Sequence, residues 1–164
     1  MPQHIDHGFA PVYDSSTRVL LLGTMPSPKS REMGFYYGHP RNRFWPTMAR
    51  VFGESPGETP AQRTAFLLRH GIGLWDVLAS CEIEGAADST IRNPVVNDFV
   101  PIFQLAQVEQ VYTTGSTAWR LYQRYSPSAA AHPALCLPST SPANARCSLE
   151  RLVDVYGVLL SHCT

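Results

Sequence analysis

The 164-residue sequence has no long apolar run and few charged side chains. Charged residues make up 16% of the chain and apolar residues 44%, a balance typical of a globular domain rather than a disordered chain. No apolar stretch approaches the ~20 residues that span a bilayer. The opening segment MPQHIDHGFAPVYD lacks the basic and apolar regions of a secretion signal. We therefore expect a cytoplasmic protein, nucleoid-associated if prokaryotic, with no membrane partner.

Cysteine is also scarce, and its spacing does not indicate a metal site. Cys81, Cys136, Cys147 and Cys163 fall in different predicted elements, and no two of them form a C-x-x-C pair, the spacing that is common in zinc sites. Reduced cysteines are ordinary core residues in a cytosolic protein. We predict no metal and no cofactor.

The formal net charge is zero, which argues against a protein that coats nucleic acid nonspecifically. The charges are nevertheless unevenly distributed. Residues 18–50 contain six basic side chains and one acidic side chain, a balance of 6 − 1 = +5, whereas the remainder contains 7 basic and 12 acidic side chains, a balance of −5. The basic stretch would attract a polyanion. The alternative is that these basic residues are clustered by chance on a solvent-exposed surface. The six basic residues are Arg18, Lys29, Arg31, Arg41, Arg43 and Arg50.

Short apolar runs alternate with amphipathic segments along the whole chain. This alternation predicts one domain, residues 1–164, with a three-layer α/β/α sandwich around a small, mostly parallel four-stranded sheet. An acidic, Gly-containing connection covers residues 82–90. The predicted strands are 18–23, 72–78, 108–115 and the start of 134–142, and the predicted helices are 43–53, 59–71, 95–107, 116–125 and 148–162.

Three polar loops should converge at one edge of this sheet. Parallel sheets bind ligands beyond the carboxyl ends of their strands. The segments that follow predicted strands one, three and four are GTMPSPKS (23–30), TTGS (113–116) and LPSTSPANA (137–145), and the aromatic stretch FYYGHPRNRFW (35–45) adjoins the first of them. We therefore expect the functional site where these segments meet.

Two of these segments carry a family resemblance. GTMPSPKSREMGFYYGHPRNRFWPTM (23–48) resembles the first motif of the uracil-DNA glycosylase superfamily, which includes the mismatch-specific (Mug-type) enzymes, and LPSTSPANARCSLE (137–150) resembles the second motif. Both are most similar to the hypoxanthine-DNA glycosylase (DNA-deoxyinosine glycosylase) branch. Two long motifs in the right order make a specific signal. The resemblance implies a monomeric, monofunctional DNA glycosylase of base excision repair. Its substrate would be DNA with a deaminated base, hypoxanthine first and mismatched uracil second.

Such an enzyme must swing its target nucleotide out of the duplex into a pocket. The resemblance implies that the Tyr37 ring stacks on the extruded base, with Met25, His39 and Thr114 also in the base pocket. The alternative is that the neighbouring rings of Phe35, Tyr36 and Tyr37 fill the core, and we expect that at least one of them does so.

The resemblance assigns catalysis to Asn42. Met25 occupies the position where related enzymes have the Asn or Asp that positions the attacking water. A thioether can neither accept a proton nor orient a water. The amide of Asn42 could hold a water through its carbonyl or donate to the leaving base. An alternative is that Asn42 only caps the helix that begins near Phe44. His39 is a second candidate, either bonding the base or fixing the loop.

The second motif is expected to contact the DNA strand. Ser139, Thr140 and Ser141 could grip phosphates beside the flipped nucleotide, and Ser27 and Lys29 could do the same from the first motif. The resemblance implies that Asn144, with its neighbouring alanines, fills the gap in the minor groove. Arg146 would contact the backbone or the opposite base.

Two other functions remain compatible with the residues. The first is a nucleic-acid-binding module that kept the scaffold but is catalytically weak or inactive, because Met25 and Thr114 depart from the expected polar residues. The second is a small-molecule α/β hydrolase. No G-x-S-x-G nucleophile motif supports it.

Overall fold

The computed structural model describes residues 2–85 and 87–162, and Cys163 lies outside this range. Within it, no helix is long and apolar enough to cross a membrane. The strands are β1 (Gln3–Asp6), β2 (Val19–Gly23), β3 (Ile72–Asp76), β4 (Leu78–Ile83), β5 (Arg92–Val96), β6 (Gln110–Thr114) and β7 (Ala134–Leu137). The helices are α1 (Pro28–Met33), α2 (Phe44–Phe52), α3 (Pro60–Arg69), α4 (Val100–Leu105), α5 (Ser116–Tyr125) and α6 (Leu149–Tyr156).

The central sheet has the order β3-β2-β6-β7, and each neighbouring pair is parallel. The predicted four-stranded parallel sheet is therefore confirmed. Every residue of β2 is buried, because successive side chains point to opposite faces and both faces are covered. This double burial explains why VLLLG reads as a continuous apolar run.

Helices α2, α3 and α6 cover one face of the central sheet. Val19 and Leu21 of β2 point into this layer, where they join Phe44, Phe66 and Tyr156 in one buried cluster. Burial of apolar side chains contributes about 25 cal/mol per Å² removed from water. This core holds α2, and therefore the loop that precedes it, in a fixed position on the sheet.

The opposite face is covered by α4, α5 and a second, antiparallel sheet. Leu20 and Leu22 of β2 point to this side and pack with Leu78, Phe99 and Tyr122. The two faces of one strand thus belong to two separate cores, as a three-layer sandwich requires.

The antiparallel sheet, with the order β1-β4-β5, was not predicted. The structure shows that Val95 and Val96 belong to β5, whereas the sequence placed them in a helix over 95–107. The helix begins at Val100, with Pro101 in its first turn, where a proline is tolerated. β5 pairs with β4 at the edge of its sheet, and an edge strand accepts Pro94. Tertiary pairing rather than local pattern decides this region.

A hydrogen bond from α6 positions the end of β7, and it is testable. The buried hydroxyl of Tyr156 donates to the carbonyl oxygen of Pro138 at 2.6 Å. Tyr156→Phe leaves that carbonyl without its donor. We expect a loss of about 1 kcal/mol in the free energy of unfolding, measured by urea denaturation.

Tyr125→Phe is the matched control for this experiment. The Tyr125 side chain is 43% exposed, and no described residue hydrogen-bonds its hydroxyl. Equal stability of the two variants and the wild type would show that the Tyr156 contact contributes nothing.

Candidate active site

A cleft of about 680 Å³ lies at the carboxyl ends of the central strands. Its walls come from the loops after β2, β6 and β7, as the sequence predicted, and also from the end of β3. Tyr37 and Ser139 both line it, so the two motifs meet in one place. The size falls within the ~300–1,000 Å³ of typical ligand pockets.

The aromatic stretch divides between core and cleft at two neighbouring residues. Tyr36 is 2% exposed, and its hydroxyl donates to the carbonyl of Ala10 at 2.8 Å. Tyr37 has a φ of 54°, in the left-handed region that non-glycine residues rarely adopt. This turn of the backbone sends the Tyr37 ring into the cleft while Tyr36 fills the core, as expected for at least one ring of this stretch.

The Tyr37 side chain is held on two sides. Its ring stacks on Phe44 with centroids 4.1 Å apart and planes at 18°, and its hydroxyl hydrogen-bonds the Thr114 hydroxyl at 3.1 Å. Burial raises the pKa of Tyr37, the nearby charge of Asp76 raises it further, and the bond to Thr114 lowers it. The phenol therefore stays protonated, and the stack on Phe44 presents a flat, fixed ring to the cleft.

Asn42 lines the cleft with its amide oxygen already occupied. The Oδ1 atom accepts the backbone N–H of Phe44 at 2.9 Å and the hydroxyl of Thr140, also at 2.9 Å. Asn42 thus does bond the start of α2, and it also joins the two motifs. The amide nitrogen makes no hydrogen bond to a described residue. Of the two roles considered for Asn42, donation by its N–H groups is the one that the contacts leave open.

Arg43, which lies outside the loop after β7, holds that loop in place through hydrogen bonds to its backbone. The Arg43 guanidinium donates to the carbonyl oxygens of Ser141 and Asn144, both at 3.0 Å, and to that of Cys147. The backbone N–H of Arg43 donates to the Thr140 carbonyl at 3.0 Å. Arg43 therefore serves as a structural clamp inside the protein.

Within that loop, the predicted phosphate-binding residues differ in whether their hydroxyl hydrogens remain free to bind a ligand. Thr140 is 1% exposed and gives its hydroxyl hydrogen to Asn42, so it positions Asn42 rather than facing solvent. Ser139 and Ser141 accept backbone N–H groups through their hydroxyl oxygens, at 3.1 and 3.2 Å, and keep their own hydrogens for a ligand. Asn144 donates to the Ser139 carbonyl at 2.9 Å, and Arg146 is exposed.

The remaining predicted site residues are divided between the cleft and its surroundings. Met25, Ser27 and Thr114 line the cleft, and Ser27 also caps α1. Lys29 does not line it and forms an ion pair with Glu32 at 3.7 Å. His39 also lies outside the lining, where its Nδ1 atom accepts the N–H of Arg41 at 3.0 Å.

The basic stretch is partly neutralised by residues distant in sequence. Arg18 pairs with Glu109 at 3.4 Å and Arg50 pairs with Glu150 at 3.8 Å. Together with the inward use of Arg43, these contacts reduce the positive charge that residues 18–50 present to a ligand.

Asp76, the last residue of β3, is a cleft residue that was not predicted from the sequence. Its side chain lines the cleft, is 4% exposed, and bonds His7 between Oδ2 and Nε2 at 2.7 Å. The sequence feature that could have identified Asp76 is its position as an acidic residue at the carboxyl end of the apolar run IGLWD. His7 gives no such signal, because it is 69 residues away and precedes the first predicted strand.

The family model of the uracil DNA glycosylase superfamily matches residues 10–155. The chain belongs to this superfamily. A solution NMR structure from Methanosarcina acetivorans, described as a candidate uracil DNA glycosylase, superposes with a TM-score of 0.77 at 30% identity and covers 96% of this chain and 99% of its own. The predicted family and fold are confirmed.

Two curated relatives carry a more specific name. The chain is 33% identical over 151 residues to a hypoxanthine DNA glycosylase of Methanosarcina acetivorans, covering 90% of this chain and 93% of the relative. It is 40% identical over 93 residues to a hypoxanthine DNA glycosylase of Methanosarcina barkeri, covering 56% and 59%. These relatives and the family support the predicted DNA glycosylase activity and do not favour an inactive binding module.

The Arg43 clamp predicts a local effect on the loop after β7. Arg43→Ala removes the donors of three carbonyl groups, and we expect faster hydrogen exchange at the amides of residues 139–147. We also expect a melting temperature that is lower by roughly 5–10 °C.

Arg41→Ala is the control, because Arg41 is exposed and its side chain bonds no described residue. The clamp would be disproved if exchange in residues 139–147 were as slow in Arg43→Ala as in Arg41→Ala.

Proposed function

We propose that this protein is a monofunctional DNA glycosylase whose preferred target is hypoxanthine in DNA, with mismatched uracil second. The observation that carries the proposal is the Asn42–Thr140 hydrogen bond, which brings the two motifs together in one cleft beside Tyr37. The names of the two curated relatives support the choice of hypoxanthine. We further propose that the enzyme acts as a monomer, since the cleft is lined by loops of one chain among the described residues, and that it acts in the cytoplasm.

The proposed reaction breaks the bond between the base and C1′ of deoxyribose. The bonding electron pair leaves with the base, and a water oxygen then bonds to C1′ and releases its proton. Negative charge therefore develops on the base and positive charge on the sugar. Hydrogen-bond donors aimed at the leaving base stabilise this transition state more than the ground state.

Asn42 fits the donor role for a structural reason. Its two hydrogen bonds to Phe44 and Thr140 both use the oxygen, which fixes the orientation of the amide and leaves the N–H groups on the other side. A donor that is already oriented needs no reorganisation when charge develops. A base such as hypoxanthine, whose carbonyl oxygen can take up the charge, suits this arrangement.

Asn42→Asp tests the donor role directly. The carboxylate keeps an oxygen for Phe44 and Thr140 but has no N–H group. We expect excision of hypoxanthine in single turnover to fall by about 100-fold or more, measured as strand scission after alkaline treatment of the abasic product. Binding of the duplex should change much less.

Asn42→Ala, which removes both the donors and the oxygen, separates catalysis from capping. Thermal melting of the two variants measures the structural contribution of the oxygen. Wild-type excision by a folded Asn42→Asp variant would remove this residue from the mechanism. A wild-type enzyme that bound DNA but excised neither hypoxanthine, uracil nor xanthine would overturn the proposed function itself.

Base capture by the Tyr37 ring is a separate prediction. Tyr37→Ala should weaken binding of an inosine-containing duplex by about 10-fold or more, because stacking of one base on a ring contributes roughly 1–3 kcal/mol. Tyr37→Phe keeps the ring and its stack on Phe44, so binding should stay within a few-fold of wild type. Fluorescence anisotropy on both variants measures the difference. Equal binding by the Ala and Phe variants would limit Tyr37 to packing.

A further inference from the structure

A second groove, of about 790 Å³, is lined by residues of α5 and β5 and lies beside the cleft. We propose that this α5–β5 groove binds an unpaired DNA strand that continues from the target nucleotide, with the phosphates on its arginines and the bases on its aromatic rings. The inference rests on the proposed glycosylase function and names a part of the substrate that the cleft does not hold.

The α5–β5 groove begins where the cleft ends. Asp88 lines both cavities, and Ser116 lines the cleft while the next residue, Thr117, lines the groove. From Thr117 the lining follows α5 as far as Arg124 and Tyr125. At 1.5 Å per helical residue this path is roughly 10–12 Å long. A strand that leaves the cleft beside Asp88 therefore has a continuous surface to follow.

The charge of the groove is positive. Its described lining includes Arg92 on β5 and Arg120 and Arg124 on α5, against one acidic residue, Asp88, a balance of 3 − 1 = +2. All three arginines are exposed, and none of them forms an ion pair with a carboxylate of the described residues, unlike several basic residues elsewhere in the chain. Exposed guanidinium groups gathered in one groove favour a polyanion as the ligand.

The arginines form a row along the path of the groove. Arg120 and Arg124 are four residues apart on α5, a spacing that puts Cβ atoms about 5–6 Å from each other on one side of a helix. Arg120 donates to the hydroxyl of Thr117 at 3.4 Å, and Arg92 donates to the carbonyl of Ile91 at 3.0 Å. Both acceptors are neutral, so the positive charges remain available to successive phosphates of a strand.

Two aromatic rings line the same groove. Trp119 is 37% exposed and Tyr125 is 43% exposed. The Nε1 atom of Trp119 donates to the carbonyl of Ala134 at 2.9 Å, which fixes the orientation of that ring, and the guanidinium carbon of Arg124 lies 5.2 Å from the centroid of the Tyr125 ring. Aromatic rings and guanidinium planes both stack on unpaired bases.

Rings between arginines favour an unpaired strand over a duplex. A duplex presents its phosphates and keeps its bases paired and stacked on each other, so a basic surface without rings is sufficient to bind it. Every unpaired base, in contrast, has a face that can stack on a ring. Because the groove opens from the cleft, the strand that carries the target nucleotide reaches it without a second binding event.

The test measures binding without cleavage. The probe is a fluorescent single-stranded oligothymidylate with one central 2′-fluoroarabino nucleotide of hypoxanthine, in which the fluorine blocks bond breakage. In two matched probes, abasic residues replace the thymidines on the 5′ side or on the 3′ side, which keeps the phosphates and removes the bases. By fluorescence anisotropy, we expect the wild type to bind one of these two about 10-fold more weakly than the full probe, the order expected for the loss of one stacked base.

Tyr125→Ala tests the stacking of bases. We expect this variant to bind the full probe about 10-fold more weakly than the wild type does. Tyr125→Phe is the matched control, because it keeps the ring, and its affinity should stay within about two-fold of the wild type.

Arg120→Gln and Arg124→Gln test the phosphate contacts. Each contact on a single strand contributes about 0.7 to the slope of log affinity against log salt concentration, so each variant should lower that slope by about this amount. Arg69→Gln removes the same charge from a side chain that is 50% exposed on α3, on the other face of the central sheet, and its slope should equal that of the wild type. Thermal melting checks that each variant is folded.

Three results would overturn the inference. These are wild-type affinity of a folded Tyr125→Ala variant for the full probe, an unchanged salt slope in both arginine variants, and equal losses of affinity for a fully paired version of the probe. If the variants do not fold, the wild type decides, because equal binding of the full probe and both abasic probes also overturns it. Each result leaves the glycosylase function standing if the wild type excises hypoxanthine from an ordinary duplex, whereas a wild type that excises no deaminated base contradicts the function first.

Discussion

The contact between the loop after β2 and the loop after β7 is the constraint on which the site depends. These strands are not neighbours, because β6 lies between them in the sheet. The two loops therefore have to meet across the end of β6, where no sheet hydrogen bond can hold them. The Asn42–Thr140 bond, the Arg43–Thr140 backbone bond and the Arg43 guanidinium make this link. Without this link, the two loops that line opposite sides of the cleft would not be held in a fixed position relative to each other.

The same contacts decide which atoms remain for a ligand. Asn42 uses its oxygen for structure and keeps its N–H groups, whereas Asp76 uses one oxygen for His7 and keeps the other. One side of the cleft therefore offers donors and the buried end offers an acceptor. Both are oriented before any ligand arrives, because a hydrogen bond to the protein fixes each side chain. Preorganised groups of this kind need little rearrangement as charge develops.

Much of the scaffold could be predicted from the sequence, since its signals are local. Continuous apolar runs indicate strands buried on both faces, and the rule for parallel sheets then places the site at their carboxyl ends. The antiparallel sheet could not be predicted in this way. The pairing of β4 with β5 depends on contacts that only the folded chain makes, and the segment RNPVV has no clear period.

Site residues could be predicted from the sequence only where the motif that surrounds a residue indicates its position in the site. Asn42 and Tyr37 belong to a long motif, but Arg43, counted as a cation for DNA, is used by carbonyl groups about 100 residues later in the chain. The pairing of His7 with Asp76 spans 69 residues, and no spacing rule connects the two. Charge in a sequence therefore does not show whether a side chain faces a ligand or the protein itself.

The presence of Asp76 also gives a physical reason for Met25. Both residues line the same cleft, and Met25 packs against the core on the Leu22 side. A carboxylate at position 25 would place a second acidic side chain in the same cleft as Asp76, and two like charges in one site repel each other. An apolar residue avoids this conflict, which agrees with the proposed mechanism, because that mechanism relies on the N–H groups of Asn42 at the leaving base and needs no second carboxylate.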